Sequence, residues 1–180
     1  MTTGHVFIAV SLDGYIARSD GSIDWLTEGW PEVGHDYGYA DFMASVDGLA
    51  MGRATFEKVL TFPKWLYEKP VIVLSRTLGP ADVPEHLRGG VRISNAQPAE
   101  LMQELDRAGW KRAYIDGGKV IQSFLAQGLI KDLVIARLPV LIGAGLPLFA
   151  DELGADMRLS HVETTAHPSG FVQSRYAIAS

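Results

Sequence analysis

The chain contains no cysteine in its 180 residues. Disulfides, thiolate zinc sites, iron–sulfur clusters and a cysteine nucleophile are excluded, so any redox chemistry must come from a bound cofactor. Long apolar runs are missing too, since no stretch approaches the roughly eighteen uninterrupted apolar residues of a membrane span. There are no blocks of one charge: 16 Lys and Arg stand against 21 Asp and Glu, a formal charge of -5 with no basic tail. That balance argues against a nucleic-acid surface. The Walker A string and the Gly-x-Gly-x-x-Gly fingerprint are absent, which leaves P-loop and Rossmann assignments unsupported. GAGLP at 143–147 is no substitute, because it lacks the helix such a motif requires. His5, His35, His86, His161 and His167 show no ligand spacing, so no metal site is expected. The opening MTTGHVFIAVSLDGYIA has no basic n-region and soon meets Asp13, so it does not read as a signal peptide. Cytoplasm is the expected compartment.

What is present is the composition of an ordinary globular protein, 47% hydrophobic and 21% charged. One domain over 1–180 is expected. HVFIAVSL at 5–12 and KPVIVLS at 69–75 are almost continuously apolar, the pattern of strands buried on both faces. Shorter strands are expected at LAM (49–51), VRI, RAYID and LVIARL (133–138). Helices are expected from about 34 to 46, over 54–59, from Pro98 along Leu101, Met102, Leu105 and Ala108, and over VIQSFLAQG. Pro168-Ser169-Gly170 turns into an alternating last strand, a C-terminal hairpin. The order predicts an α/β fold, a mixed and mainly parallel sheet with helices on both faces and antiparallel strands at its end. The polar loop after Asp13-Gly14 carries Trp25, Leu26 and Trp30, and must fold over the core or over a ligand.

Ligands of open α/β sheets collect at the carboxyl ends of strands. Four such ends stand out: Ser11 to Gly14, Gly52 to Thr55, Ser75 to Thr77, and Gly117 to Val120. Arg53 with Thr55, and Arg76 with Thr77, pair a guanidinium with a hydroxyl near a helix start, which makes a phosphate receptor. The competing reading is solvated charges and ordinary ion pairs. Gly117-Gly118 precedes another helix, where missing Cβ atoms let a pyrophosphate approach the backbone.

FIAVSLDGYIA (7–17), DGLAMGRATFE (47–57), VIVLSRT (71–77), YIDGGKVIQSFLAQGLIKDLVI (114–135) and PVLIGAGLPLF (139–149) together resemble the dihydrofolate reductase superfamily. The branch they resemble is the reductase domain of bacterial riboflavin biosynthesis. The resemblance implies an NADPH-binding reductase and a dihydrofolate reductase-like fold. It implies that Gly52, Arg53 and Thr55 lie at the adenosine and phosphate side, and Ser75, Arg76 and Thr77 at the ribose 2′-phosphate. Gly117, Gly118, Lys119 and Val120 would hold the pyrophosphate, and the backbone of Ala9 and Val10 would face the nicotinamide. NADPH is favoured over NADH on physical grounds as well, because the 2′-phosphate needs a cation and two Arg–hydroxyl pairs offer one.

On the substrate side, Asp36 is the match by spacing to the carboxylate that dihydrofolate reductases place on their first helix; capping that helix is its other reading. Asp13 is the second candidate, with Ser11 and Gly14 beside it in the cleft, against a structural Asx-turn. Asp116 reads as a support of the glycine turn. Trp25 either closes over substrate or anchors its loop. The pattern around a folate is missing, and so is the His-x-Glu with paired cysteines of the fused riboflavin deaminase. The expectation is a reductase of a small pteridine- or pyrimidine-like heterocycle, riboflavin-type rather than folate-type. A non-catalytic nucleotide-binding or interaction protein on the same fold is the alternative. The resemblance further suggests a homodimer through the C-terminal hairpin and PVLIGAGLPLF.

Overall fold

The apolar stretches become the central strands. The computed structural model describes residues 1–30, 36–149 and 156–179. In chain order the strands are β1 (Thr3–Ser11), β2 (Tyr15–Ala17), β3 (Gly48–Gly52), β4 (Val71–Leu74), β5 (Val91–Ser94), β6 (Arg112–Asp116), β7 (Ile130–Leu138), β8 (Leu146–Pro147), β9 (Leu159–Ala166) and β10 (Val172–Ile178). The helices are α1 (Asp24–Thr27), α2 (Tyr39–Ser45), α3 (Arg53–Val59), α4 (Pro98–Arg107) and α5 (Gly118–Ala126). Eight strands form one sheet in the order β5-β4-β3-β6-β1-β7-β10-β9. The first six are parallel to their neighbours, and β10 runs antiparallel to both β7 and β9.

Alternation along the strands divides the core into two layers. Ala50, Ile72, Ala113 and Ile115 face α4 and α5, where Leu101, Leu105, Ile121 and Phe124 cover them. Leu49, Met51, Val71, Val73 and Tyr114 face the other way, under Phe42 of α2 and Phe56 and Val59 of α3. Each fully buried Leu, Val or Phe side chain contributes roughly 1.5–3 kcal/mol, so both layers are needed to hold the sheet. A third cluster of Trp25, Leu138 and Phe171 ties the loop after β2 to β7 and the C-terminal hairpin, with Ala9, Trp30 and Tyr37 packed against it.

The mixed, mainly parallel sheet is the one expected from the strand order; one helix start differs. The helix expected from about 34 begins at Tyr39, because Tyr37 (φ 56) and Gly38 (φ 82) adopt left-handed backbone just before it. Residues 34 and 35 lie outside the described residues. Within PVLIGAGLPLF, β8 pairs with β2. Among the described residues no helix is long and apolar enough to cross a membrane, and no His, Cys, Asp and Glu group could hold a metal ion.

Candidate active site

The ladder between β1 and β6 runs only to His5 opposite Tyr114. Beyond it β1 continues on β7 as far as Ser11 opposite Leu138, and β6 continues on β3 to Asp116 opposite Met51. The two central strands therefore part toward their carboxyl ends and leave a notch. The Tyr114 phenol spans it, donating to the Phe7 carbonyl at 2.8 Å.

Asp116 ends β6 at this notch. Alternation puts it on the same side as Tyr114, facing α2. Phe7 packs against Phe42 (5.1 Å) and Tyr39 (5.5 Å), and Phe42 against Tyr114 (5.0 Å), so the surroundings are aromatic. Burial pushes the Asp116 carboxyl up to about 6, although the Gly117 N–H donating to it at 2.8 Å pulls the other way. Burial pushes the Tyr39 phenol up to about 12, and the nearby Asp116 charge adds to it. The same causes, burial first and Asp116 second, raise Tyr67 and Tyr114 further. The phenols thus remain donors at any physiological pH, while Asp116 exchanges its proton close to neutrality.

Immediately after Asp116 the chain makes a glycine turn into an uncapped helix start. Gly117 has φ +90, and a Cβ there would run into Thr55 Oγ1; one on Gly118 would meet Ile16 Cδ1. Only glycine fits this contact between α3 and α5. No side chain caps α5, and its first helical bond is Ile121 N–H to the Gly117 carbonyl. The N–H groups of Gly118, Lys119 and Val120 are left without an intrahelical partner. Arg53 opens α3 with Gly52 as its N-cap, reaching Thr77 Oγ1 at 3.4 Å and Glu57 at 3.8 Å. The Ser75 hydroxyl accepts the Thr77 and Leu78 N–H groups at 3.1 and 3.0 Å, fixing the turn that carries Arg76. Beside it Arg76, Arg92, Ser94 and Asn95 line a cavity of about 380 Å³. Arg92, Ser94 and Asn95 were not foreseen, yet the signal was there: RIS in β5 repeats the Arg–hydroxyl pattern of the two strand ends beside it.

Gly52, Arg53, Thr55, Ser75, Thr77 and Gly117 converge, as the strand-end pattern requires. Ala9 and Val10 lie on β1 past the point where it leaves β6; Ala9 packs in the third cluster and Val10 is buried. The two carboxylates expected as catalysts have other work. Asp13 accepts from the Ser11 hydroxyl at 2.6 Å and from the N–H groups of Ile142 and Gly143 at 3.1 and 2.8 Å. The Ser11 hydroxyl is the leading cause that holds Asp13 below the usual carboxylate range, the wrong direction for an acid at neutral pH. With fully buried Ser11, and with Gly14, whose carbonyl accepts the Leu148 N–H at 3.1 Å, it pins the loop after β1 to the 139–149 segment. Asp36 accepts from the Gly38 and Ala40 N–H groups at 3.1 and 2.6 Å, which caps α2. Trp25 is buried against Leu138 and Phe171 as a loop anchor, and its indole N–H has no acceptor among the described residues.

Sheet order, strand pairing and a carboxyl-end site define a protein of the dihydrofolate reductase fold. More narrowly, residues 3–172 match the model of the RibD C-terminal domain, and the chain belongs to that family. It is 37% identical over 146 residues to the uncharacterized protein YwjB of Bacillus subtilis (strain 168), covering 80% of each chain. The crystal structure of a putative riboflavin biosynthesis protein from Shewanella sp. PV-4 superposes with a TM-score of 0.92 at 38% identity, over 99% of this chain and 100% of that one. A diaminohydroxyphosphoribosylaminopyrimidine deaminase/5-amino-6-(5-phosphoribosylamino)uracil reductase from Thermotoga maritima shares the fold at a TM-score of 0.75 and 14% identity; the match covers 99% of this chain and 57% of that one.

Proposed function

We propose that the chain is an NADPH-dependent reductase of a small pteridine- or pyrimidine-like heterocycle, with Asp116 as its proton donor. The observation that carries this reading is a carboxylic acid raised to about 6 at the notch between β1 and β6, one residue before a glycine-built anion receptor. The residues present fit a dinucleotide. Gly117, Gly118, Lys119 and Val120 offer backbone N–H groups to the pyrophosphate, with Gly52, Arg53 and Thr55 alongside. Arg76, Ser75 and Thr77 offer a cation and hydroxyls to the 2′-phosphate, and the backbone of Ala9 and Val10 borders the nicotinamide end.

NADPH held there would supply the hydride for reduction of a C=N bond, becoming NADP⁺. Asp116 delivers a proton to the nitrogen, and water returns the proton to the carboxylate after release. Tyr39 and Tyr67 orient the acceptor as neutral donors, and the aromatic wall of Phe7 and Phe42 excludes water.

Titrating the folded protein with NADPH and with NADH, following tryptophan fluorescence, tests the cofactor. Tighter NADPH binding is expected, weakened by about ten-fold in Arg53→Ala and Arg76→Ala and much less for NADH in Arg76→Ala. A folded protein that binds neither sinks the proposal. Turnover of an NADPH pool fits the cytoplasm, where we place the protein.

A homodimer is part of the same reading. Leu141, Leu146 and Phe149 on the 139–149 segment and Leu159, Val162 and Val172 on the hairpin are exposed large apolar residues, and every residue of β9 is exposed. Such a strand is a pairing hazard unless covered. Sedimentation is expected to show a dimer that Val162→Lys dissociates; a monomer at micromolar concentration counts against it.

A further inference from the structure

The helix α2 is too short to hold itself. It has 7 residues, and isolated helices below roughly 12–15 residues are marginal in water, so its place is set by what grips it. Lys69 grips the C-terminus, donating to the carbonyls of Ala44 and Val46. The inner face rests on the sheet, with Tyr39 and Phe42 against Phe7 at 5.5 and 5.1 Å. The N-terminus starts from unfavourable backbone. Tyr37 has φ 56 and is the one non-glycine residue with positive φ among the described residues. For a bulky side chain this conformation is an outlier, and it persists only where the surroundings over-determine it. The Asp36 cap serves the N–H groups of Gly38 and Ala40. A further hold, on Tyr37 itself, comes from the far end of the chain.

That hold is the tip of the hairpin between β9 and β10. The Tyr37 ring stacks on Phe171 at 5.0 Å and 24°, and the His167 ring stands across it at 4.8 Å and 86°. The Gln173 amide, 136 residues away, donates to the Tyr37 carbonyl at 3.0 Å. Its own oxygen can only accept, so His167 Nε2 is the donor toward it at 3.4 Å. The tip is itself closed, since the His167 N–H bonds the Phe171 carbonyl and the Gly170 N–H bonds the His167 carbonyl, both at 2.8 Å. Because β10 runs antiparallel to β7, the tip stands at the carboxyl end of β7, where Phe171 is buried with Leu138. A ring stack alone would leave the backbone free to turn. A ring and its carbonyl held together fix the orientation of the peptide, which is what a left-handed residue needs.

We infer that the hairpin tip positions α2: Phe171, His167 and Gln173 hold Tyr37 in its left-handed turn, and that turn fixes where Tyr39 and Phe42 stand at the notch. Tyr37 and Gln173 are positioning residues, acting on the acceptor through α2. Their effect on the site rests on the reading of the Asp116 notch as the acceptor site. The hold reaches one side of the notch. In the sheet, β1 and β7 stand between β6 and the hairpin, while α3 and α5 start from Gly52 and Gly117 at the ends of β3 and β6. Releasing the tip should therefore loosen the wall made by α2 and leave the glycine turn in place.

The test uses the full chain and two readouts. Hydrogen exchange followed by mass spectrometry reads the hold on α2 with no ligand present. Tyr37→Ala and Gln173→Ala are expected to speed exchange in α2 about ten-fold, with α4 and α5 unchanged. Tyr37→Phe keeps the ring and should match the wild type. Tyr37→Gly loses the ring but adopts the left-handed turn freely, so its exchange should fall between. Calorimetry with 2,4-diaminopyrimidine, on protein with NADPH at saturation, reads the pocket. Tyr37→Ala and Gln173→Ala are expected to weaken the probe about three- to ten-fold, with NADPH affinity kept within about twofold. Unchanged exchange in α2 overturns the inference. Exchange that rises equally in α4 and α5 overturns it too, because the tip then serves global stability alone. Faster exchange in α2 with probe binding unchanged overturns the role at the site. A wild type that does not bind the probe counts against the notch as the acceptor site, while the ligand-free exchange still decides the hold on α2, so the two failures are distinguishable.

Discussion

The two sides of the notch are built in opposite ways. The side proposed for the cofactor is made of backbone: a left-handed glycine, an uncapped helix start, and turns at the ends of β3, β4 and β6, with Arg53 and Arg76 set into them. The side proposed for the acceptor is made of side chains: Tyr39 from α2, Tyr67 from the loop before β4, and Tyr114 and Asp116 from β6. Backbone receptors bind a part common to all dinucleotides, so they tolerate little change. A side-chain pocket can be re-specified one residue at a time, and this is where the chain is free to differ from others of its fold.

The sharpest way to break this contrast is Asp116→Asn. A positioned general acid contributes about 10²–10⁴-fold, so kcat is expected to fall at least 10²-fold while NADPH affinity changes little. Stability should move the other way. The Asp116 carboxyl sits at about 6 in the fold against an ordinary 3.8, so the native state favours its proton. That contribution is full below the ordinary value and is lost as pH rises through about 6. Asparagine does not ionise, so the variant should be more stable at pH 7–8 by about 3 kcal/mol, an advantage that fades below pH 4. Urea denaturation at several pH values measures this. In the wild type, kcat should decline as pH rises above about 6, because the acid form disappears. A wild-type profile flat from pH 5 to 8 would remove Asp116 from the chemistry.

Gly117→Ala attacks the other side. A Cβ there would have to adopt φ +90 and displace Thr55 Oγ1, which separates the two helix starts. Strained backbone of this kind costs about 1–3 kcal/mol, so a lower melting temperature is expected. NADPH affinity should fall more than about ten-fold, because the pyrophosphate cradle itself is deformed. Ligands confined to the acceptor pocket should be affected less. If a pocket ligand and NADPH weaken equally, the division into two independently built sides is wrong.

The same contrast explains what could be read from the residues alone. Parallel strands buried on both faces announce themselves as continuous apolar runs, so β1, β4 and the mixed sheet were legible. Glycine pairs and Arg–hydroxyl pairs at strand ends are contiguous, and the strand-end cluster proposed to hold the cofactor was legible for that reason. The acceptor side was not, because its residues meet only through the fold. Asp116 reads locally as the residue before a turn; nothing in YIDGG says that β1 leaves β6 at that height or that three phenols gather around it. Tyr67 sits in KWLYEK with no periodic signal at all. Asp13 and Asp36 drew attention because their spacing suited a catalytic carboxylate, while the N–H groups that claim them come from Ile142 and Gly143 and from the left-handed turn at Tyr37-Gly38.

The smallest expected effect is the one that separates the two carboxylates most cleanly. Asp36→Asn keeps an oxygen where the Ala40 N–H donates, so the start of α2 should survive with a loss of no more than about 1 kcal/mol. If Asp36 only caps α2, kcat should change less than about twofold and the pH profile should keep its midpoint. A carboxylate acting on substrate would instead lose about 10²-fold or more on amidation. Steady-state kinetics of Asp36→Asn beside Asp116→Asn, in one buffer series, therefore decides between a catalyst carried on the first long helix and one carried at the end of the central strand. Loss of turnover in the former with retention in the latter would return the chemistry to α2 and leave the raised Asp116 as strain at the glycine turn. The reverse pattern would leave α2 as a wall that carries Tyr39 and Phe42 into the pocket, its own carboxylates contributing charge and a cap.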